Sequence, residues 1–484
     1  MSFLILKTAM TDQANLKNMK NVLKKCGQSH LLAFWERLSS ARQQRLLNQL
    51  NLLDFAQLDR WRKDYVINPA PAKLPQSIAP APSYPSEPAD APQQRKYDQA
   101  RQSGIKLISQ GKVAAFVVAG GQGTRLGFDG PKGNLPISPV KNKTLFQIFA
   151  ETLAAVSGKY HVTCPWYIMT SPLNHSQTLA LLAASNYFGL NKSDIFIFQQ
   201  GTLPNFSLDG KILLADLDTI ATSPDGHGGS LRALHISGAI DDMKKRGVEF
   251  ISYFQIDNPL VNILDPLFIG LHALDGSEMS SKALAKTGPL EKVGNFCLAD
   301  NKVSVIEYSD LPRELALKTN PDGSLLFNLG SIAIHIISVA FVERLNKQRF
   351  PLPLHRAVKK IPYIDDKGNR IEPSQPNGVK LESFVFDALP LAFKSVILET
   401  LRDEEFAPTK NATGVDSIET SRQMLIARAA SWLESAGVKI PRKPDGSPDC
   451  FLEIAPSFAL TKQDLAEQRG RIPLIKPGQS VYIV

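Results

Sequence analysis

Val113-Ala114-Ala115-Phe116-Val117-Val118-Ala119-Gly120-Gly121-Gln122-Gly123-Thr124-Arg125-Leu126-Gly127 is the stretch on which the fold turns. Its first seven residues are apolar without alternation, the pattern of a parallel strand buried on both faces. Glycines follow at 120, 121 and 123. They let the backbone turn sharply and bring bare N–H groups close to an anion. Arg125 and, seven residues on, Lys132 add two cations to the same place, and an apolar helix begins near Thr144. Strand, glycine loop and helix in that order predict an anion-binding α/β unit.

Two better-known loops fail the comparison. A dinucleotide fingerprint needs GxGxxG and an acidic residue about twenty positions later. Here Leu126 stands where the third glycine belongs, and residue 147 is glutamine. The GxxxxGK[ST] loop is also missing. A tight strand-to-helix turn with incidental charges is the plainer alternative, and the two cations argue against it.

Outward from the loop, strand-like runs recur at 165–170, 195–198 and 250–256, separated by helical periodicity. This alternation predicts a Rossmann-like α/β domain with a doubly wound, mixed or parallel sheet. Before it, Leu31, Leu32, Phe34, Trp35 and Leu38, then Leu46, Leu47, Leu50 and Leu53, predict helices within 28–66, with Ser39 and Ser40 as a cap between them. Residues 69–92 hold eight prolines and read as a linker or a surface strap. Residues 97–110 read as helix. After about 390 the pattern changes to a helix over 392–402 and short apolar runs, expected to form a small C-terminal domain. The expected segments are thus 1–95 (helices and linker), 96–389 (the α/β domain) and 390–484.

The 484 residues, 43% hydrophobic and 21% charged, have the composition of a globular protein. No apolar run reaches bilayer length, so no membrane role is expected. MSFLILKTAM lacks a signal-cleavage pattern, and Met10 is an alternative start. Cys26, Cys164, Cys297 and Cys450 form no CxxC pair, which predicts reduced thiols and a cytoplasmic setting. The net charge of +9 is spread along the chain, with no basic stripe or RNP-type motif, so no nucleic-acid partner is expected. Anionic small substrates account for it.

The loop with its continuation Pro131-Lys132-Gly133 resembles the signature of eukaryotic-type UDP-N-acetylglucosamine pyrophosphorylases, in the UDP-glucose pyrophosphorylase type 1 family. The resemblance runs on through KTLFQIFAE (143–151), QQGTLPNFSLDGKILL (199–214), SPDGHGG (223–229), QIDNPLV (255–261), KTGPLEKVG (286–294), LFNLGSIAIH (326–335), KKIPYID (359–365) and NGVKLESFVFD (377–387). HLLAFWERL (30–38) resembles the family's N-terminal helix. What the resemblance implies is a nucleotidyltransferase fold and a Mg²⁺-assisted reaction of UTP with a sugar 1-phosphate. N-acetylglucosamine 1-phosphate is the expected acceptor, giving UDP-N-acetylglucosamine and pyrophosphate.

The resemblance also implies site roles. Ala119, Gly120, Gly121 and Gly123 would hold the UTP phosphates, with Arg125, Lys132 and Lys380 as the catalytic cations. Gln200 would read the uracil edge, since an amide offers both donor and acceptor. Gly226 would let the main chain approach the nucleotide or sugar. Asp257, at a strand's carboxyl end, would hold magnesium; a turn or N-cap aspartate is the alternative. Lys359, or else Lys360, would meet phosphate. His227, Glu291, Asn328 and Lys380 would bind the sugar phosphate. The sugar half departs from the family pattern at His227, Lys292, Leu329, Ser331 and Ile334. Relaxed specificity, as in a UDP-glucose or broad UDP-sugar pyrophosphorylase, is therefore the alternative. More distant readings are a silent nucleotide-sugar sensor and an N-terminal module that binds a partner. No β-helix hexapeptide repeat is present, so no acetyltransferase half is expected.

Overall fold

The computed structural model describes residues 15–69, 75–348, 350 and 352–484. MSFLILKTAM, with Met10, and residues 70–74 of the proline-rich stretch lie outside them. The chain divides into two compact units. The first draws on Met1–Leu74, Gly201–Gly229 and Leu352–Phe384; the second on Pro75–Gln200, Ser230–Pro351 and Val385–Val484. These boundaries cut across the three consecutive segments read from the sequence.

The second unit is built on β1 (Val113–Val118), β2 (Trp166–Thr170), β3 (Ile195–Gln199), β4 (Phe250–Gln255), β5 (Met279–Ala285), β6 (Leu329–Ser338) and β7 (Ile397–Thr400). β1 lies between β2 and β4 and is parallel to both, and β3 continues the parallel set beyond β2. β6 is antiparallel to β4 and β5, which makes the sheet mixed. Unbroken apolarity in β1 is explained by burial on both sides. Val113, Ala115 and Val117 join a core with Phe149, Leu153 and Ile269. Phe116, on the opposite face, stacks on Phe198 and meets Tyr253 edge-on. The three further strands read from the sequence are all present.

The helix expected over 392–402 is instead β7, which runs parallel to β5 from Ser281↔Ile397 to Leu284↔Thr400. A short apolar run fits either state; the open edge of β5 decides it in favour of strand. The proline-rich stretch is a strap. Ile78–Pro80 pairs with Asn295–Ala299, and the Tyr84 backbone bonds to both sides of Leu398. It ends at Asp90, whose carboxylate caps α1 (Ala91–Ser109), so that helix starts six residues before the expected Tyr97.

α1 packs against α3 (Pro266–Leu274) through two glycine notches; α2 is Leu145–Tyr160 and α4 is Ile418–Ser435. A Cβ at Gly104 would overlap the Pro266 carbonyl, and one at Gly270 would overlap the Ala100 carbonyl. No periodicity rule marks these notches. The residues around α4 and Phe451–Ile454 carry a small hydrophobic core of their own, including Leu433, Leu452 and Ile483.

In the first unit, residues from Met19 to Val66 contribute to the core. Leu23, Leu31, Leu46 and Leu50 pack with Phe206, Ile212, Val379 and Leu381. Gln28 donates to Gly210 O and accepts from Ile212 N, tying the segment down through a buried side chain. The helices considered above as a partner-binding module thus share this unit's core. The stretch resembling a helix at 30–38 is two 3₁₀ turns, Ser29–Leu32 and Trp35–Arg37. Ser39 does sit at the N-cap of Ser40–Asn51, but its hydroxyl makes no capping bond.

The glycine notches make a direct prediction. Gly270→Ala forces α1 and α3 apart at a site with no slack, an overpacking cost of about 1–3 kcal/mol or more. Thermal unfolding should show a lowered midpoint, whereas Gly276→Ala, where a Cβ meets nothing, bears only the strain of its positive φ.

Candidate functional site

Parallel strands release their chains on one edge of a sheet. In the second unit β1, β2, β3 and β4 therefore lead at that edge into Ala119, Ser171, Gln200 and Asp257. Strand order reverses between β1 and β4, the switch point at which open α/β sheets bind ligands. Val118 stands level with Met169 and Gln255, so the glycine loop and the Asp257 loop leave side by side.

The loop closes on itself. Lys132 N donates to Gly121 O at 3.1 Å, and Gly123 N donates to Gly130 O at 2.9 Å. Among the described residues, the N–H groups of Gly120, Gly121 and Gln122 donate to no protein acceptor. Three successive bare amides make a concave donor set for an anion. Gly123 is glycine because a Cβ would strike Phe128, and Gly120 because one would strike the Gln200 amide oxygen. Gln200 itself is buried, and its N–H bonds Thr170 O at 2.8 Å.

Lys132 and Asp257 meet across the crevice. Lys132 Nζ lies 4.0 Å from Asp257 Oδ2 and donates to Thr409 O at 3.2 Å. Both side chains are about 15% exposed (15% and 13%), enough to reach a ligand yet sheltered enough for their charges to act strongly. Arg125 is exposed on the turn Thr124–Leu126.

Two residues of the same unit were expected at the sugar. Glu291 is half-buried and already engaged by Arg402 at 2.6 Å and by the Thr287 N–H at 2.7 Å. Burial pushes its carboxyl up, but these donors outweigh it and hold it below the usual range. Asn328 Oδ1 accepts from Lys286 N at 3.1 Å, linking the two family blocks. Of the departures from the family pattern, Ile334 is buried in the hydrophobic core, so its bulk repacks that core; Leu329 and Ser331 keep some exposure.

The other four expected residues belong to the first unit. Lys359 ends the strand His355–Lys359, which pairs antiparallel with Gly378–Glu382 in the register Lys359↔Gly378, Ala357↔Lys380 and His355↔Glu382. Lys359, His355 and Lys380 therefore share one face. Lys360 lies beyond the strand. His227 and His355 stack on opposite partners of one ring, Phe384, with centroids 5.2 and 4.3 Å away. Packing around the His227 ring disfavours its charged form, and the neighbouring His355 adds to this, pushing its pKa down to about 4. Gly226 has φ +85° and no room for a Cβ beside Ser383. The direction a Cβ would take is filled by the protein's own backbone.

Sequence reasoning missed the side chain that holds the loop. Asn174 is fully buried and donates from Nδ2 to Ala119 O (2.8 Å) and Gly121 O (3.1 Å), while its Oδ1 accepts from Ser171 N. Its position just before the helix His175–Ala184 was the available signal; which carbonyls it reaches was not legible.

Comparison with known proteins places this arrangement. The family model described as UTP–glucose-1-phosphate uridylyltransferase matches residues 83–466. The chain belongs to the UTP–glucose-1-phosphate uridylyltransferase family. Within it, the chain is 36% identical over 482 residues to the UDP-N-acetylhexosamine pyrophosphorylase-like protein 1 of Homo sapiens, covering 93% of this chain and 94% of that protein. It is 36% identical over 477 residues to the UDP-N-acetylglucosamine pyrophosphorylase of Saccharomyces cerevisiae, covering 94% and 98%. The crystal structure of the uridine diphosphate N-acetylglucosamine pyrophosphorylase from Trypanosoma brucei, in complex with inhibitor, superimposes with a TM-score of 0.80. It shares 25% identity and covers 97% of this chain and 98% of that one. The glycine loop, Asp257 and Lys380 all fall within the residues matched to the family.

The anchoring of the loop is testable apart from any activity. Asn174→Ala strands two carbonyls in a buried place and should cost about 1–3 kcal/mol in urea unfolding. Arg125→Ala, at an exposed site, should change stability by less than about 0.5 kcal/mol.

Proposed function

We propose that this protein transfers UMP from UTP to N-acetylglucosamine 1-phosphate, giving UDP-N-acetylglucosamine and pyrophosphate. The observation that carries the reading is the set of bare amides at Gly120–Gln122 beside the Lys132–Asp257 pair. Such a site binds a polyphosphate and leaves one carboxylate for a cation. The name of the yeast relative, UDP-N-acetylglucosamine pyrophosphorylase, supplies the sugar.

In this reaction a phosphate oxygen of the sugar 1-phosphate forms a bond to the α-phosphorus of UTP. The bond from that phosphorus to the bridging oxygen breaks, and pyrophosphate departs with the electron pair. The attacking oxygen is already ionised near neutral pH, so the chain need not supply a base. Its task is alignment and neutralisation of charge. The amides of Gly120, Gly121 and Gln122 orient the UTP phosphates, with Ala119 and Gly123 shaping the turn. Arg125 and Lys132 neutralise the charge that builds on the leaving group. Gln200 reads the uracil edge. Gly226 shapes the turn that presents His227 to the sugar phosphate. Lys359 and Lys380 meet phosphate groups, and their shared sheet face favours Lys359 over Lys360. Glu291, fixed by Arg402, and Asn328 bond the sugar.

Asp257 also fits Mg²⁺. Among the described residues no three acidic or imidazole groups converge as a cage. One carboxylate at a polyphosphate site is what Mg²⁺ uses, since it keeps water and substrate oxygens for the rest of its shell. Asp257 would hold the ion, whose charge supplies further neutralisation of the phosphates. A cytoplasmic setting belongs to the same proposal, supported by four cysteines that all stand as free thiols. Among the described residues no helix is long and apolar enough to cross a membrane.

Relaxed sugar specificity is the second reading, and His227 favours it. A neutral, stacked imidazole gives one donor and one acceptor at a place where the resemblance expects asparagine.

Pyrophosphate release from UTP, Mg²⁺ and a panel of sugar 1-phosphates tests both. N-acetylglucosamine 1-phosphate should be the preferred substrate, and Arg125→Ala or Lys132→Ala should reduce kcat by about 100-fold or more. Equal or faster turnover of glucose or galactose 1-phosphate would give the site to the second reading. Absence of turnover with every sugar would remove both.

A further inference from the structure

We propose that Thr409 and Ser421 are positioning residues that hold the Lys132 ammonium against the Asp257 loop. The inference rests on the nucleotidyltransferase reading and adds to it two side chains that touch no substrate group.

The peptide groups of Thr409 bridge the two sides of the crevice. Its carbonyl accepts from Lys132 Nζ at 3.2 Å, while its N–H donates to Asp257 O at 2.9 Å. One residue thus fixes the distance between the lysine head and the backbone that carries the carboxylate. Such a bridge is only as stiff as its support. Thr409 is fully buried, and its hydroxyl lies 2.8 Å from Ser421 Oγ, itself 1% exposed. Ser421 Oγ also donates to Ala407 O at 3.2 Å. Ser421 stands in the first turn of α4, which Ser417 and Thr420 cap reciprocally, so it is rigidly based.

The Asp257 side is fastened by the same segment. Asn258 Nδ2 donates to Glu405 O at 2.6 Å, and Asn258 Oδ1 accepts from Ala407 N at 3.0 Å. Residues 405–409 therefore form a strut, bonded to the Asp257 loop at three backbone positions and to Lys132 at one. The hydroxyl pair is the far end of that strut. Removing it frees the Thr409 peptide to rotate, and the lysine loses its aim without losing its charge.

The experiment uses the full chain and the variants Thr409→Val, Thr409→Ser and Ser421→Ala. Steady-state pyrophosphate release gives kcat and KM, and calorimetric titration with UTP alone gives binding without turnover. Thr409→Val keeps the shape and loses the hydroxyl. It should lower kcat by about 10- to 100-fold, as small misplacements of catalytic groups do, and weaken UTP binding severalfold. KM for the sugar 1-phosphate should move by less than about 2-fold, because the strut touches the UTP side. Thr409→Ser retains the hydroxyl and should recover most of the loss. Ser421→Ala gives the same test from the other partner if Thr409→Val does not fold. Wild-type kcat and UTP affinity in Thr409→Val, with only a lowered melting point, would overturn the proposal and leave a packing role. Equal impairment in Thr409→Val and Thr409→Ser would overturn it too, since the methyl or the fold would then be at fault. A wild-type chain that neither binds UTP nor releases pyrophosphate overturns the functional reading along with this one.

Discussion

Four parallel strands end on one edge of a sheet, and the chemistry of the second unit depends on that constraint. β1 bonds to β2 on one side and to β4 on the other, so its carboxyl end is flanked by both neighbours' exits. The strand that follows β1 in sequence lies to one side and β4 to the other. No connection fills the gap between them, and the glycine loop and Asp257 face each other there. A slip of β1 against β4 by one residue would drive Phe116 into the opposite face, packed on Val113, Ala115 and Val117, and shift the loop relative to Asp257.

Buried hydrogen bonds hold that crevice from both sides. Asn174 takes up the carbonyls of Ala119 and Gly121, and the loop's own hairpin takes up Gly123 and Lys132. Beyond Asp257, the buried Lys282 pairs with Asp265 at 2.7 Å and with Glu405, joining the far end of the loop 257–265 to the 405–409 strut through one ammonium. Burying these charges is costly, and each is stable there because its partners are in place. Among the described residues, the N–H groups at 120–122 donate to no protein acceptor. Bare donors grouped on a glycine loop are what an anion completes.

The first unit illustrates a different principle. Its core is assembled from an N-terminal segment, an insertion after β3 and a second insertion after residue 351, none of which could bury its own apolar face alone. Leu46 and Leu50 need Ile220, and Val379 needs Phe206. The N-terminal helices are therefore structural, and their resemblance to family sequences reflects shared packing. His227 and His355 both stack on Phe384, and burial of the His227 ring, with His355 adding to it, keeps that imidazole neutral at neutral pH.

The sequence by itself determined the elements whose signal is local. An unalternating apolar run, three glycines and a capped helix at Thr144 made the β1–loop–α2 unit legible. The ordered blocks made the family and the identities of Arg125, Lys132 and Asp257 legible with it. Tertiary structure alone decided what depends on a distant partner. Residues 392–402 carry no periodicity that separates strand from helix, and the open edge of β5 settled them as β7. That Gly226 has Ser383 against its Cβ position is visible only in the fold. Glu291 gives no sign in the sequence that Arg402, more than a hundred residues away, holds its carboxylate. Asn174, Thr409 and Ser421 have no motif at all. Their importance lies in which buried carbonyls and hydroxyls they reach, and hydrogen-bond partners far apart in the chain leave no trace in local composition.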